Sequence, residues 1–299
     1  MQNVKLNNYL HLHFLVFIAG FTGILGELIT IEAIPLVWYR MIIALLLISL
    51  YVKIAKVRIK ISPKNISKLS VAGIIIALHW ITFFGAIDAS NVSIALAMFS
   101  TGAFFASLIE PLIYKRKIIG YEVVFGLLVI LGVVIVTQSE LQYLKGIILG
   151  ITSAFLSALF AVLNGHFLKK FTATTITFYE FISGILFITL VMFVFGYGYT
   201  PAIFSLPRSD IFYLLILGSV CTAYAFIGAV YIMHHISPFT VMLTYNLEPV
   251  YGILLALLLF PDKETMSPHF YYGASIIIVA VLLNAYLKNK NRLTKRKLS

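Results

Sequence analysis

Residues 67–87 read SKLSVAGIIIALHWITFFGAI, and after Lys68 this stretch carries one ionisable side chain, that of His79. A bilayer core requires roughly 20 mostly apolar residues in a helix, so the stretch is long enough to cross a membrane. The rest of the 299-residue chain has the same character, since 61% of its residues are hydrophobic and 11% are charged. Soluble domains carry about 25% charged residues, so we expect lipid to solvate most of this protein.

Ten apolar stretches of this kind are separated by charged residues, glycine or proline. The predicted spans are 10–30, 34–54, 67–87, 91–113, 118–138, 144–165, 173–196, 210–232, 237–260 and 269–288. The third and fourth are separated only by a short polar segment, where Asp88 favours a turn over one long helix. The first is too long for a signal-peptide core and has no small-residue cleavage site after it. The sequence therefore predicts an all-α membrane protein with ten transmembrane helices.

The basic residues are distributed unevenly about these spans. With a cytoplasmic N-terminus, 18 of the 22 Lys and Arg residues fall inside, 3 fall outside, and only Arg40 lies within a span. This bias predicts a multi-pass protein of the bacterial inner (plasma) membrane with both termini in the cytoplasm. It also explains the formal charge of +11 by contact with anionic lipid headgroups, so we expect the lipid bilayer, and no nucleic acid, as a partner.

The chain also contains an internal repeat. Residues 1–140 and 141–288 each hold five spans, and 289–299 form a basic cytoplasmic tail. The matched positions are Gly26 with Gly165, Trp38-Tyr39-Arg40 with Phe178-Tyr179-Glu180, and Phe83, Gly85 and Ala86 with Phe226, Gly228 and Ala229. Because five is odd, the second half enters from the opposite side, which predicts two inverted repeats with a binding site near the midplane. Such an architecture favours a transporter over an enzyme or a scaffold.

Three motifs carry a resemblance to a known family. They are PLVWYR at 35–40, LHWITFFGAI at 78–87 and NLEPV at 246–250. Together they resemble the EamA-type repeats of the drug/metabolite transporter superfamily, and the amino-acid and metabolite exporter branch most of all. This resemblance covers almost the whole chain. It implies ten helices in inverted five-helix repeats, with a central cavity walled mainly by the first, third and fourth spans of each repeat.

The sequence departs from the family pattern in one place. The fourth span of the family often carries a proline near its middle, as Pro249 does in the ninth span here. The fourth span of this chain has Ser100, Thr101 and Gly102 instead. We therefore expect the two gates to bend differently.

Glu248 is the most conspicuous acid at membrane depth, where an ionisable group needs a partner, water or a function. Pro249 follows it and frees a backbone carbonyl in the preceding turn, while Thr244, Tyr245 and Asn246 add donors and acceptors. Glu248 is therefore a candidate to bind a substrate ammonium group or to carry a proton. The alternative is a packed acid that a neighbouring helix satisfies.

His79 and Trp80 are the next candidates, as a proton-coupling group and as a flat apolar wall for a ligand. The alternative is a histidine bonded to an adjacent helix and a tryptophan that faces lipid. Neighbouring residues point about 100° apart on a helix, so we expect only one of the two to face the cavity. Further candidates to line the cavity, each with an interhelical hydrogen bond as its alternative, are Ser100, Thr101, Asn164, Thr222 and Tyr224.

Four charged or titratable residues occupy equivalent repeat positions with opposite character. We expect Glu27 to pair with Arg40 near the outer face, and His166 to pair with Glu180 near the inner face. Each pair would join the first two spans of its own repeat. Two interpretations remain open, a gate that breaks during transport and a static brace.

The sequence thus predicts a secondary transporter that moves a small metabolite, such as an amino acid, by alternating access, in the direction of export. It has no GxxxxGK[ST] loop, which excludes ATP drive within the chain. Two alternatives are a membrane-embedded lipid-modifying enzyme, for which no HExxH or GxSxG motif is present, and a transport-inert membrane partner. No catalytic residue, metal or cofactor is predicted. Substrate identity, proton coupling and oligomeric state remain open.

Overall fold

The computed structural model describes residues 2–115, 117, 120–195, 205–233, 235, 244–245 and 247–297. Every regular element within these ranges is helical. The helices are α1 (Gln2–Leu28), α2 (Ala33–Ile54), α3 (Pro63–Asp88), α4 (Val92–Phe99), α5 (Gly102–Tyr114), α6 (Gly120–Ser139), α7 (Leu144–Phe167), α8 (Ala173–Val194), α9 (Arg208–Gly218), α10 (Ala225–Met233), α11 (Glu248–Leu259), α12 (Pro261–Glu264) and α13 (Pro268–Lys297).

Within the described residues, eight helical stretches of 20 to 27 residues are long and apolar enough to cross a membrane. Two shorter apolar helices, Glu248–Leu259 and Pro268–Asn284, follow them along the chain. The ten predicted spans therefore correspond to eight full-length stretches and two shorter ones. Residues 237–243 and 246 of the predicted ninth span lie outside the described residues.

The segment between the third and fourth predicted spans is a turn, as Asp88 indicated. Helix α3 ends at Asp88, and α4 begins at Val92 with Asn91 as its N-cap. The Asn91 side chain accepts a hydrogen bond of 2.9 Å from the backbone N–H of Ile94, which satisfies one of the free donors at the helix start.

The fourth predicted span is interrupted where the sequence places Ser100 and Thr101. The backbone N–H and the hydroxyl of Thr101 both donate to the carbonyl of Met98, at 3.0 and 2.7 Å. This tight turn separates α4 from α5 without a proline. The fourth span is therefore interrupted by local hydroxyl bonding at the place where the family often has a proline.

The eighth predicted span contains a π-helical turn, Ser219–Tyr224, between α9 and α10. The hydroxyl of Thr222 donates to the carbonyl of Leu217 at 2.7 Å, so it satisfies a carbonyl in the last turn of α9. Turns of this kind are rare and are often found at functional sites.

The last helix is longer than the predicted tenth span. Helix α13 continues from Pro268 to Lys297, so residues 289–297 extend it instead of forming a separate tail. Lys, Arg and Leu in this segment are good helix formers, which explains the continuation.

Glycines allow several helices to approach closely, as small residues do in membrane proteins. On α6 and α13, a Cβ atom added at Gly132 would lie 2.8 Å from the carbonyl oxygen of Gly273. On α1 and α11, a Cβ atom added at Gly20 would lie 3.0 Å from both the backbone nitrogen of Gly252 and the carbonyl oxygen of Glu248. These contacts hold Glu248 beside the first helix.

Candidate functional site

A cavity of about 460 Å³ lies inside the bundle, and helices from both halves of the chain line it. Its size falls in the range of small-ligand pockets. Most of the wall is aromatic or small and apolar. The polar side chains on it are Thr22, Arg40, His79, Ser100, Ser157, Asn164, Thr177, Tyr245 and Glu248.

Aromatic rings form much of the apolar wall. Trp80 and Phe226 meet edge to face, with ring centroids 6.2 Å apart. Phe83 and Phe99 meet in the same way at 5.6 Å. Edge-to-face pairs fix the orientation of neighbouring rings, so this wall is a rigid surface for the apolar part of a ligand.

Arg40 lies on the cavity wall with only 3% of its surface exposed. Its Nε donates to the hydroxyl of Thr222 at 2.8 Å, and its guanidinium carbon lies 4.1 Å from the centroid of the Trp80 ring. Among the atoms that the structure describes, its Nη1 has no hydrogen-bond partner. Arg40 is therefore held firmly on one edge and unbonded at Nη1.

The predicted pair between Glu27 and Arg40 is wrong in this structure. Glu27 lies near the C-terminal end of α1, where Nζ of Lys263 donates to its Oε1 at 2.6 Å. This contact raises the pKa of Lys263 above its usual 10.5. Arg40 lies about two turns inside α2, and it faces the cavity instead of the helix end where Glu27 is found.

The predicted pair between His166 and Glu180 is also wrong here. Glu180 is fully buried, and its Oε2 accepts from the side-chain nitrogen of Asn164 at 3.5 Å. His166 is exposed, and its ring lies 6.2 Å from that of Tyr114. His166 is two positions after Asn164 on α7, which places their side chains about 200° apart, so only Asn164 can face α8.

His79 and Trp80 both line the cavity, so the expectation that only one would do so is wrong. The large indole ring of Trp80 extends to Arg40, which lines the same cavity. His79 Nδ1 lies 2.9 Å from the hydroxyl of Ser153, and its ring stacks on Phe99 at 5.4 Å. The histidine thus combines the two predicted interpretations, a bond to a neighbouring helix and a place on the wall.

Glu248 lines the cavity together with Tyr245, at the point where α11 begins and Pro249 follows. It interacts electrostatically with Arg40, although no ion pair within 4 Å joins them among the described side chains. The cavity therefore contains one acid and one base without direct contact. Asn246, predicted beside them, lies outside the described residues.

The remaining predicted residues fall into two groups. Ser100 and Asn164 line the cavity. Thr101 is buried against Met98, and Thr222 is buried behind Arg40, so neither is on the wall itself.

Two predicted residues lie away from the cavity. The hydroxyl of Tyr224 lies 2.7 Å from Nε2 of His11, and 40% of the tyrosine is exposed. Thr244 is described but does not contribute to the wall.

Several wall residues were not predicted. Thr22, Ser157, Thr177 and Cys221 line the cavity, each on a helix that already carries a predicted residue or next to one. Thr177 lies one turn before Glu180, and Cys221 directly precedes Thr222. The signal in the sequence that could have identified these residues is their helical spacing from the predicted site residues.

Carboxylates tie the connecting segments together at one end of the bundle. Glu264 accepts from the backbone N–H groups of Val92 and Ser93 at 3.0 and 2.9 Å. Asp210 Oδ2 accepts from the backbone N–H and the hydroxyl of Thr30 at 3.1 and 2.8 Å. We call this region, with Glu27, Glu140, Asp210 and Glu264, the carboxylate end.

Glu140 completes the carboxylate end. Its Oε1 accepts from the backbone N–H of Ser267 at 3.0 Å, and its Oε2 accepts from Gln142 at 2.7 Å. The cavity lining, in contrast, includes Leu168 and Ala173, which belong to the connection between α7 and α8. The cavity therefore extends toward a segment that takes no part in these contacts.

Comparison with known proteins agrees with this architecture. The model of the EamA-like transporter family matches residues 9–138 and 144–286, one match in each half. A solved structure titled only as a crystal structure of a protein is 14% identical and aligns with a TM-score of 0.64 over 95% of this chain and 98% of that chain. That likeness shows the fold alone. No curated protein matches the chain.

Proposed function

The chain belongs to the EamA-like transporter family, a family of membrane transporters of small molecules, and from this premise we propose that it is a secondary exporter of a small metabolite such as an amino acid. In this proposal it works by alternating access across a bacterial inner membrane. The observation that carries the proposal is the cavity between the halves, with Arg40 and Glu248 on a largely apolar wall.

The packing of the helices supports two inverted five-helix repeats, 1–140 and 141–288. In such a repeat, each span of one half is equivalent to the span five positions later in the other half. A contact between two spans therefore requires a contact between their two equivalent spans. Helix α1 packs on α11, and α7 packs on α4. Helix α3 packs on α8, and α9 packs on α2, while α6 and α13 pack on each other. Each of these helix pairs has a counterpart in the other half, which supports an inverted repeat.

The charge bias supports an orientation of the cavity in the membrane. If both termini are cytoplasmic, the carboxylate end faces outside, because its segments follow odd-numbered spans. The cavity would then extend toward the cytoplasmic connection of Leu168 and Ala173. This arrangement fits an inward-facing state, from which an exporter would load its cargo and an importer would release it.

Glu248 is our candidate for binding a substrate ammonium group or for carrying a coupling proton. An isolated carboxylate at this depth is costly, so its place on a cavity wall favours function over packing. His79 is a weaker candidate, because Ser153 already engages its Nδ1. A facilitator without a coupling ion is the alternative mechanism.

The proposal is tested with purified protein in liposomes and a panel of labelled amino acids and related metabolites. We expect wild-type flux of at least one compound and none with Glu248→Ala. The exposed acid Glu32 supplies the matched control, since Glu32→Ala should leave flux unchanged. An imposed proton gradient should accelerate a coupled carrier, and an ionophore should abolish that effect.

The absence of flux for every compound would overturn the proposal and favour the lipid-modifying enzyme or the transport-inert partner. Flux in Glu248→Ala equal to the wild-type value would remove Glu248 from the site. The two results are independent, so class and site are judged separately.

A further inference from the structure

The orientation of Arg40 is fixed by two contacts that leave Nη1 free. Thr222, inside the π turn, uses its hydroxyl hydrogen on Leu217 and accepts from Arg40 Nε with a lone pair, at 2.7 and 2.8 Å. Trp80 lies against the face of the guanidinium, 4.1 Å from ring centroid to carbon. Such stacking fixes a planar cation in place. The π turn thus serves to present one arginine.

The positive charge of Arg40 has no carboxylate in contact with it. All eleven Asp and Glu residues lie in the described ranges, and none of them forms an ion pair within 4 Å of the guanidinium. Glu248 acts on Arg40 only at longer range. An isolated buried cation is expensive, and a guanidinium has five donors that require acceptors. Nη1 is buried without a hydrogen-bond partner among the described atoms, and Arg40 itself lines a cavity large enough for a small molecule.

We propose that Arg40 is the carboxylate-binding residue of the cavity, so that the transported molecule carries a carboxylate. The inference rests on the proposed function, since it assigns a part of the substrate to that cavity. Guanidinium groups bind carboxylates by charge-assisted hydrogen bonds. The rigid rings of Trp80, Phe83 and Phe226 would receive the apolar body of the molecule.

Glu248 narrows the class of ligand further. Its carboxylate on the same wall repels a second negative charge, which disfavours phosphates and dicarboxylates, and attracts a cationic group. The expected ligand is therefore a monocarboxylate, with any ammonium group toward Glu248. Phosphate shares the chemistry that arginine recognises, so it is included as a separate arm of the test.

The test uses the purified full chain and measures ligand-induced thermal stabilisation. The probes are amino acids, their methyl esters, the corresponding amines without a carboxylate, and inorganic phosphate. We expect at least one free carboxylate to stabilise the wild type and its ester and amine to bind at least tenfold more weakly. Arg40→Gln should weaken the carboxylate about ten- to a hundredfold and abolish the preference over the ester.

Two further variants protect the test against simple misfolding. Thr222→Val keeps the guanidinium and removes its anchor, so the preference for the carboxylate should fall but persist. Arg40→Lys keeps the charge and loses the planar geometry, so we expect a result between the wild type and Arg40→Gln. The exposed Glu32→Gln should bind as the wild type does.

Equal binding of ester and carboxylate, stabilisation by phosphate alone, or an unchanged preference in Arg40→Gln would each overturn the carboxylate site. Carboxylate binding that depends on Arg40, in a protein without flux, would support this site and contradict the transporter proposal. Flux that is unchanged in Arg40→Gln would support the transporter proposal and contradict the carboxylate site. The two proposals can therefore fail separately.

Discussion

The Oε2 atom of Glu264 accepts a hydrogen bond of 2.9 Å from the backbone N–H of Ser93, across 171 positions of the sequence. Oε1 accepts from Val92 at 3.0 Å, and Glu264 is fully buried. A carboxylate at the start of a helix satisfies free backbone donors and interacts favourably with the helix dipole. This contact holds the segment before α13 against the start of α4, and it is the most buried link of the carboxylate end.

Glu264→Gln should loosen the carboxylate end. A neutral amide oxygen accepts one of the two backbone bonds less strongly, and its NH₂ group faces the other backbone donor, so we expect a loss of about 1–3 kcal/mol in that contact. The readout is Cys221, which is the only cysteine and lines the cavity. An impermeant thiol reagent applied from the carboxylate end should label it faster in the variant than in the wild type.

The control for this experiment lies on the same short helix. Asp262 is exposed, so Asp262→Asn should leave the labelling rate of Cys221 unchanged. Labelling from the opposite end should also be insensitive to Glu264→Gln. A rate in Glu264→Gln that equals the wild-type rate would mean that the Glu264 contact does not limit access.

The ion pair between Lys263 and Glu27 should contribute much less than Glu264. Lys263 is 68% exposed, so its pair is screened by solvent and salt and is worth about 0.2–1 kcal/mol. The raised pKa of Lys263 means that this contribution is complete below pH 10.5 and is lost as the pH rises through the higher folded-state pKa. We therefore expect the wild type to lose the contribution of this ion pair to its thermal stability when the pH exceeds the folded-state pKa of Lys263.

A double-mutant cycle measures the pair directly. Lys263→Met should remove the alkaline loss, and Glu27→Gln should do the same, because either one removes the interaction. The double variant should then lose no more stability than the two single variants lose when their losses are added. An alkaline loss that persists in Lys263→Met would assign it to another group.

The helices could be predicted from the sequence because hydropathy is a local property. Any stretch of roughly 20 apolar residues satisfies the bilayer, whatever its neighbours are. The turn at Asp88 was predictable for a similar reason, because short polar side chains bond to the backbone next to them. The sequence marked Ser100 and Thr101 only as a place where the two gates bend differently. These features require no knowledge of tertiary contacts.

The partners of the charged residues could not be predicted in the same way. Repeat alignment equates Arg40 with Glu180, but it does not say which helix faces each of them. The partner of Glu27 is Lys263, 236 positions away, and the partner of Arg40 lies in a π turn that has no sequence signature. Long-range packing decides these contacts, and a single sequence does not encode them in any readable spacing.

The partners of the acids at the carboxylate end could not be predicted from the sequence either. Asp210 and Glu264 lie near helix ends, where a solvated side chain is the ordinary expectation. Both are fully buried, and their acceptors are used by backbone N–H groups of distant segments. Since every residue except proline offers the same backbone donor, the sequence contains nothing that marks which donor is chosen.

The close approach of α6 and α13 should make Gly132 intolerant of any side chain. A Cβ atom there would lie 2.5 Å from a side-chain atom of Ile277 and 2.8 Å from the Gly273 carbonyl oxygen, so the helices must separate. We expect Gly132→Ala to cost about 1–3 kcal/mol, the usual range for overpacking. Thermal unfolding in detergent measures the loss.

Gly120 provides the matched control for Gly132, because it begins the same helix and no heavy atom lies within 4 Å of its added Cβ atom. Gly120→Ala should be neutral or slightly stabilising, since alanine reduces the freedom of the unfolded chain. Equal losses for the two variants would show that helix propensity, and not interhelical contact, governs the effect.

Glu180→Gln should leave the protein at least as stable as the wild type. Glu180 is fully buried, its Oε1 has no partner among the described atoms, and its Oε2 has only the long bond to Asn164. No cation lies within ion-pair distance of it among the described side chains. The amide keeps the shape and the bond to Asn164 while removing a group that is costly to bury when charged.

Glu180→Ala separates the charge of this residue from its volume. It leaves a void between α8 and α7 and an unpaired Asn164, so we expect a loss of about 2–4 kcal/mol where Glu180→Gln loses nothing. The comparison is made by thermal unfolding of the two purified variants. A Glu180→Gln variant as unstable as Glu180→Ala would show that the carboxylate itself is required, and it would point to a cationic partner in another state of the transport cycle.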